Sequence, residues 1–400
     1  MGPAVFNTVE ADIVGLAGSI PVRLRECCAA ARQEGSRRAS VVAPLSALAS
    51  AGAVVALAAW RSSRLWARQG RLPPARRRPL PVAALLDALP VRRAAQLGAL
   101  VVIGVGLAGP VVGAPRTLAA LGIGWLAIVM ASAVLGPVWP AISPLRLLPD
   151  RSTEAAPALR RAHRVGAWPA AVALAAIIAA ATARPVPPTV LAGLVTTLVV
   201  TGGLVTWRLG GVGAERHDPA AAVCAVVAAV APLGRGEAGW VLRSPVPALT
   251  QRQERPGQRA VLAVIAGAAA THLLAPLIAG WPGPGGAVGL AALAAAVGTA
   301  ALAIRLAAFR SYLLPAVTAA TAGWVLAHHA WLLLDATGVA RPWPAIAGVA
   351  VLLVGHLVAV ATGHRAALAR FDPRAARAVQ FPLRVVLALS AAAGAALLTS

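Results

Sequence analysis

Histidines inside apolar stretches are the residues of this chain whose type and placement could carry chemistry. Five of its seven histidines lie in or beside such stretches: His272, His328, His329, His356 and His364. Ionisable groups are costly inside hydrocarbon, so each of these side chains is a candidate functional group. Imidazole binds transition metals and haem iron, and it relays protons near neutral pH.

Three of these histidines are expected to converge. At the helical rise of 1.5 Å per residue, His272, His328 and His356 lie about 2, 7 and 4 Å from the centres of their apolar stretches. Comparable depths on three helices predict a cluster that would bind a metal or haem, or relay protons. His364 lies about 12 Å beyond His356 along one helix, so it is expected at the cytoplasmic mouth rather than on the same ion. Histidines that only tie helices together by hydrogen bonds are the competing interpretation.

A proline-rich run, GPVWPAISPLR (136–146), is the other notable stretch. Its three prolines cannot continue a helix, so the preceding span is predicted to end here. Trp139 suits the aromatic belt at the membrane interface, and Arg146 suits the cytoplasmic side. The run is expected to be a rigid helix exit, with contact to a lipid headgroup or a substrate as the alternative.

Missing residue types exclude several enzyme classes. The chain has no lysine, so all 36 basic residues are arginine and a GxxxxGK phosphate loop is impossible. It has neither an HExxH nor a GxSxG motif. No apolar stretch carries the acidic pair with which intramembrane transferases hold magnesium. The three cysteines contain no CxxC pair and cannot form a disulfide framework.

Composition indicates that the elements positioning these residues lie in a membrane. Of 400 residues, 59% are hydrophobic and 12% charged, against about 25% charged in soluble domains. This excludes a soluble globular, disordered or disulfide-rich protein. The net charge of +23 suggests nucleic acid, but the arginines cluster between apolar blocks, and one tyrosine and four phenylalanines offer little base stacking. The expected partner is therefore the lipid bilayer and not a nucleic acid.

Apolar blocks of about 20 residues predict ten membrane spans. They are approximately 41–60, 94–114, 117–139, 165–183, 188–207, 260–281, 286–304, 312–335, 345–363 and 381–399. Loops after odd-numbered spans carry 27 arginines and loops after even-numbered spans carry 3, which places the odd loops in the cytoplasm and both termini outside. The predicted fold is all-α, a polytopic integral membrane helix bundle of about 10 transmembrane helices.

The predicted arrangement of spans and loops divides the chain into four regions. Residues 1–40 form an N-terminal tail without a clean secretory signal, expected to be disordered or to precede the true start of translation. Spans 1–5 occupy 41–207, and 208–259 form a cytoplasmic loop. Its apolar segment 220–233 is too short to span and is expected to lie at the interface or against the bundle. Spans 6–10, with the intramembrane histidines, occupy 260–400.

Four stretches, in this order, resemble a family of bacterial polytopic membrane proteins labelled fenitrothion hydrolase-like. The resemblance implies a multi-pass protein of the bacterial cytoplasmic (inner) membrane. The stretches are RPLPVAALLDALPVRRAAQLGAL (78–100) leading into GPVWPAISPLRLL (136–148), APLGRGEAGWVLRSPVPAL (231–249), VLAHHAWLLL (325–334), and GHLVAVATGHRAALARF (355–371) followed by FPLRVVLAL (381–389).

The resemblance places seven residues on matching positions: Trp139, Pro144, Arg146, Arg243, His328, His356 and His364. The chain departs from the family pattern at Ser143, where the family has asparagine, at His329, where it has tyrosine, and at His272, where it has aspartate. The label implies hydrolysis of organophosphate esters, which usually relies on a metal-bound hydroxide. No carboxylate lies beside these histidines within a span, since Asp335 is at the outer end of span eight.

The sequence therefore leaves three functional hypotheses open. In the first, the histidines of spans 6, 8 and 9 bind a transition metal or haem, or relay protons. In the second, the chain is a membrane hydrolase of organophosphate esters. In the third, it is a transporter or a structural bundle whose histidines only pack.

Overall fold

A computed structural model of the protein shows a chain that is helical over most of the ranges it describes. These ranges are 50–57 (except 51 and 56), 77–79, 89–148 (except 115), 166–182, 187–236, 239–251, 257–279, 298, 313–339 and 342–399. Within them the predicted all-α class is confirmed.

Ten helices of seven residues or more lie in the described part of the chain. They are α1 (Leu89–Ala108), α2 (Arg116–Leu135), α3 (Trp168–Thr182), α4 (Pro188–His217), α5 (Pro219–Val227), α6 (Pro245–Gln251), α7 (Gln258–Ala279), α8 (Leu314–Ala336), α9 (Trp343–Leu368) and α10 (Pro373–Thr399). Single helical turns lie at Trp139–Ile142, Pro144–Leu147 and Ala228–Val230. Several helices start with proline, whose missing N–H costs nothing in the first turn.

Five windows in the described residues are long and apolar enough to cross a membrane. They are Pro90–Ala108, Pro188–Val205, Leu314–Ala336, Trp343–Leu368 and Pro373–Ala396, which correspond to predicted spans 2, 5, 8, 9 and 10. Shorter apolar helices at Ala120–Leu135, Trp168–Ala179 and Gln258–Ala268 coincide with spans 3, 4 and 6. Predicted spans 1 and 7 fall largely outside the described residues.

The last two helices differ from the predicted spans at their junction. The loop predicted at 364–380 shrinks to 369–372, so His364 lies on α9 and α10 begins eight residues earlier than expected. Asp372 caps α10 by accepting hydrogen bonds from the backbone N–H groups of Arg374 and Ala375. The arginines near these helix ends favour a loop at 364–380, but long arginine side chains can reach water from within a helix.

A small antiparallel sheet, absent from the prediction, joins two distant segments. Strands β1 (Arg77–Pro79), β2 (Leu233–Gly236) and β3 (Gly239–Arg243) pair in the order β1-β3-β2. The paired segments belong to the two loops predicted after spans 1 and 5. Strands this short and rich in glycine and arginine carry no clear alternating pattern.

The short helix α5 lies inside the bundle. It contacts α2, α3, α4, α7 and α8, and six of its nine residues are buried. A helix that is apolar on all faces is stable only when it is covered on all faces. Of the two placements considered for this segment, packing against the bundle is the one observed.

The closest helix packing is between α8 and α9. These helices are antiparallel, with Gly323 facing Gly355 and Ala316 facing Gly363. A Cβ atom added to Gly323 would lie 2.8 Å from the Cα of Gly355. Small residues let helix backbones approach this closely, and the contact area then holds the pair together.

Candidate functional site

His356 holds three helices together. Its side chain is fully buried, and its Nδ1 lies 2.9 Å from the carbonyl oxygen of Leu352. A carbonyl only accepts, so Nδ1 carries the proton and Nε2 accepts a hydrogen bond from the Ser390 hydroxyl, 3.1 Å away. The same Ser390 oxygen accepts from the indole N–H of Trp324 at 2.9 Å. Trp324 on α8, His356 on α9 and Ser390 on α10 thus form a chain of hydrogen bonds, here called the Trp-Ser-His link.

The structure places His328 and His356 at different levels of the bundle. His328 lies five residues past Gly323 on α8, and His356 lies one residue past the facing Gly355 on α9. Because the two helices are antiparallel, these offsets add to about 9 Å along the bundle axis. His328 instead stacks on Trp331, with ring centroids 6.4 Å apart.

His329 lies beside His328, with ring centroids 6.1 Å apart. His272 lies on α7, but its side chain falls outside the described residues. His329 Nδ1 donates to the carbonyl of Val325 at 2.7 Å. Within the described residues, no group of three histidine, cysteine or acidic side chains could hold a metal ion.

His364 pairs with a different residue of α10. Its Nδ1 lies 3.1 Å from Oε1 of Gln380, which Arg384 also approaches at 3.5 Å. Ala359, Val360 and Leu387 form a buried apolar cluster between the levels of His356 and His364. The two histidines therefore bridge α9 and α10 at two separate levels, with apolar packing between them.

Replacing Ser390 with alanine tests the Trp-Ser-His link. The variant leaves Trp324 Nε1 and His356 Nε2 buried without their partner, which should lower the free energy of unfolding by about 1–3 kcal/mol. Thermal unfolding of the protein in detergent measures this loss. Thr197→Ala, which removes an exposed hydroxyl bonded only to its own helix at Gly193, is the control and should change little. Equal unfolding temperatures for the two variants would contradict the link.

A buried carboxylate lies at the start of α5. Asp218 accepts hydrogen bonds from the backbone N–H groups of Ala220 at 2.8 Å and Ala221 at 3.3 Å, and also from the indole N–H of Trp139. Burial raises the pKa of Asp218, while the indole and backbone donors act to lower it. Among the described residues no basic side chain pairs with this carboxylate. Trp139 and Asp218 are called the polar node below.

The chain bends sharply to bring Trp139 to this position. Gly136 ends α2 with a φ of +80°, a conformation that glycine adopts without steric cost. The turn Trp139–Ile142 follows and contacts both α1 and α5. Trp139 is thus half-buried against a carboxylate, a contact that its expected place in the interfacial belt did not include.

Asp218 was not predicted as a site residue, because it lies outside the long apolar blocks in which ionisable groups are most costly. One local signal was present, since aspartate followed by proline marks the beginning of a helix. The pair Asp218–Pro219 precedes an apolar run of helix length, and Asp372–Pro373 repeats the pattern before α10. Which of these two carboxylates is buried depends on the packing of the surrounding helices, and the local Asp-Pro pattern does not indicate that packing.

The other end of this short helix is held by an arginine. Arg243 donates to the carbonyl oxygens of Ala228 at 3.0 Å and Ala231 at 3.3 Å, just past α5. It lies against Gly234, where an added Cβ would be 2.6 Å from its Nε. A negative group at the N-terminus and a positive group at the C-terminus both complement the helix dipole.

The last predicted polar candidate, Arg146, is half-buried in the turn Pro144–Leu147. Its backbone N–H donates to the carbonyl of Ser143 at 3.2 Å, which closes this turn. The turn contacts α1 and α4, so Arg146 belongs to the same end of the bundle as the polar node.

Comparisons with family models, with curated proteins and with solved structures find no match to this chain. Its function is therefore inferred from the geometry of its own residues.

Proposed function

We propose that this protein is a multi-pass carrier whose working site is the polar node at the start of α5. In this proposal the chain has about ten spans in a bacterial cytoplasmic membrane, with both termini outside. One observation carries the proposal: a short buried helix, packed against α4 and α8, which each contain an apolar window long enough to span a membrane, begins at a buried carboxylate that no basic side chain of the described residues pairs with.

Helices that end inside a bundle are typical of transporter binding sites. Non-helical backbone at membrane depth is tolerated where protein covers it or where it lines a cavity. Broken helices in transporters place their ends at the substrate or the coupling ion. Here the turns after α2 and the start of α5 meet at Trp139 and Asp218.

Asp218 is the proposed protonation site of the carrier. A buried carboxylate that lacks a cationic partner is costly when ionised, and protonation removes that cost. Its charge would therefore change when the site opens to water. The Cys224 thiol lies close by, and burial raises its pKa to about 12, which keeps it neutral. Asp218 is thus the group of the node that is proposed to exchange a proton.

The other two hypotheses receive less support from the described geometry. A metal ion on His356 would have to displace its hydrogen bond to Leu352 or to Ser390. Elemental analysis and an absorption spectrum of detergent-purified protein test the metal or haem hypothesis. Turnover of an aryl phosphotriester tests the hydrolase activity that the family resemblance implies.

Alternating access is the property to test, because it does not require a known substrate. The test introduces Ala220→Cys into a variant of the chain in which Cys27, Cys28 and Cys224 have been replaced by alanine. A membrane-impermeant maleimide is then applied to right-side-out and inverted vesicles. A carrier should show labelling of Ala220→Cys from both sides. Arg374→Cys, in the exposed first turn of α10, is the control and should react from one side.

Labelling of Ala220→Cys from a single side would contradict the carrier proposal. Asp218→Asn in the same background adds a second measurement. Because asparagine cannot be ionised, this change should shift the ratio of labelling between the two sides. Asp372→Asn, at the exposed Asp-Pro pair, should leave that ratio unchanged.

A further inference from the structure

Gln96 and Ser143 lie on elements in contact, α1 and the turns that follow α2, and carry buried polar atoms without partners in the described part of the chain. Gln96 on α1 is 3% exposed, and its Nε2 donates to the carbonyl oxygen of Ala141 at 3.2 Å. Because that carbonyl can only accept, the orientation of the amide is fixed and Oε1 points elsewhere. Gln96 Oε1 is buried and has no hydrogen-bond partner among the described residues.

Ser143 and Arg92 also carry buried polar atoms without a hydrogen-bond partner in the described part of the chain. Ser143, 4% exposed, uses its backbone N–H on Trp139 and its carbonyl on Arg146, while its buried Oγ has no partner in the described chain. Arg92 lies one turn before Gln96 on the same face of α1, half-buried, and its buried Nε is likewise unpartnered there. The turns on either side of Ser143 both contact α1.

The hydrogen-bond partners that these atoms lack define the chemistry of a ligand. Buried polar groups are normally hydrogen-bonded, and each one left unpaired costs free energy. Arg92 Nε requires an acceptor, best a phosphate oxygen. Gln96 Oε1 requires a donor, and Ser143 Oγ can use either. A phosphodiester by itself has no hydrogen-bond donor at neutral pH, and a quaternary ammonium headgroup has none either, whereas a phosphate ester with a neighbouring hydroxyl supplies both a donor and acceptors.

We propose that Arg92, Gln96 and Ser143 bind a glycerophosphoryl group, a phosphate ester of glycerol with a free hydroxyl. Arg92 donates a charged hydrogen bond to the phosphate, and the hydroxyl donates to Gln96. Arg92 lies in the first turn of the apolar window that begins at Pro90, near the depth where a lipid headgroup would be found. The group can come from phosphatidylglycerol or from soluble glycerol phosphate. This binding does not depend on the carrier function.

The test uses the full chain, purified in detergent. Its thermal unfolding is followed as phosphatidylglycerol, phosphatidylcholine or sn-glycerol 3-phosphate is added. Phosphatidylglycerol should raise the unfolding temperature of the wild type, and phosphatidylcholine should not. Arg92→Gln should weaken the phosphatidylglycerol effect by about tenfold in concentration, the usual loss when a charged hydrogen bond is removed. Arg93→Gln removes the exposed arginine next in sequence and should retain it.

Each outcome decides the proposal. Stabilisation by glycerol phosphate equal to that by phosphatidylglycerol would assign a soluble ligand, and stabilisation by the lipid alone would assign the headgroup. Equal losses in Arg92→Gln and Arg93→Gln would show general surface attraction and overturn the site, as would equal stabilisation by phosphatidylcholine. If Arg92→Gln fails to fold, Gln96→Leu and Ser143→Ala are used, since both should also weaken the lipid effect.

Discussion

Replacing Gly355 with valine is expected to destabilise the protein strongly. Gly355 lies against Gly323 at the closest contact between α8 and α9, where the backbone of the partner helix occupies the space of a side chain. Valine there must push the two helices apart, and overpacking of this kind costs about 3 kcal/mol or more. The separation would also strain the Trp-Ser-His link, since Trp324 and His356 are the next residues after these glycines on each helix.

Thermal unfolding in detergent, together with the yield of folded protein, measures the effect. Gly104→Val is the matched control, because an added Cβ at Gly104 on α1 meets nothing within 4 Å. Both substitutions replace a helical glycine with the same β-branched residue, so intrinsic helix preference is common to them. An equal change in the two variants would show that the α8–α9 contact contributes no more than an open helix face.

Hydropathy predicted most of the helices because the membrane-facing residues must be apolar whatever they contact. The long helices Leu314–Ala336 and Trp343–Leu368 were placed to within a few residues. Their ends were less well predicted, since the α9–α10 turn depends on a single cap at Asp372. The sheet was missed because its strands pair across more than 150 residues, a contact that local periodicity does not contain.

The histidine cluster shows what depth alone leaves out. Depth was measured as a distance from the centre of each span, which does not say on which side of the centre a residue lies. In antiparallel α8 and α9, His328 and His356 lie on opposite sides of the Gly323–Gly355 contact, so comparable depths became a separation of about 9 Å. The metal-binding role of His356 stays a prediction, and its contact with Ser390, which also bonds Trp324, depends on helix packing.

Replacing Asp218 with asparagine should change how stability depends on pH. Burial raises the pKa of Asp218 in the folded protein above its value in the unfolded chain. As the pH rises between these two values, the unfolded state loses its proton first, so wild-type stability falls. The fall can reach about 1.4 kcal/mol per pH unit. Asparagine does not titrate, so the unfolding temperature of the variant should not show this part of the decrease as the pH rises above about 4, the ordinary pKa of aspartate.

Asp372→Asn is the natural control because Asp372–Pro373 caps a helix in the same way at an exposed position. Backbone hydrogen bonds from Ala375 and Arg374 lower the pKa of Asp372, so its contribution is present above the unfolded pKa and lost as the pH falls. The two variants should therefore change the pH profile in opposite directions.

The same pair of variants separates a working carboxylate from a structural cap. If Asp218 only caps α5, asparagine, which keeps an acceptor oxygen for the cap, should have little effect on the labelling of Ala220→Cys from the two sides. If the carboxylate is retained for proton exchange, Asp218→Asn should become more stable relative to the wild type as the pH rises. The same variant should nevertheless change the ratio of labelling of Ala220→Cys between the two sides. A variant less stable than the wild type by the same amount at every pH would contradict a titrating role and leave Asp218 as a buried cap.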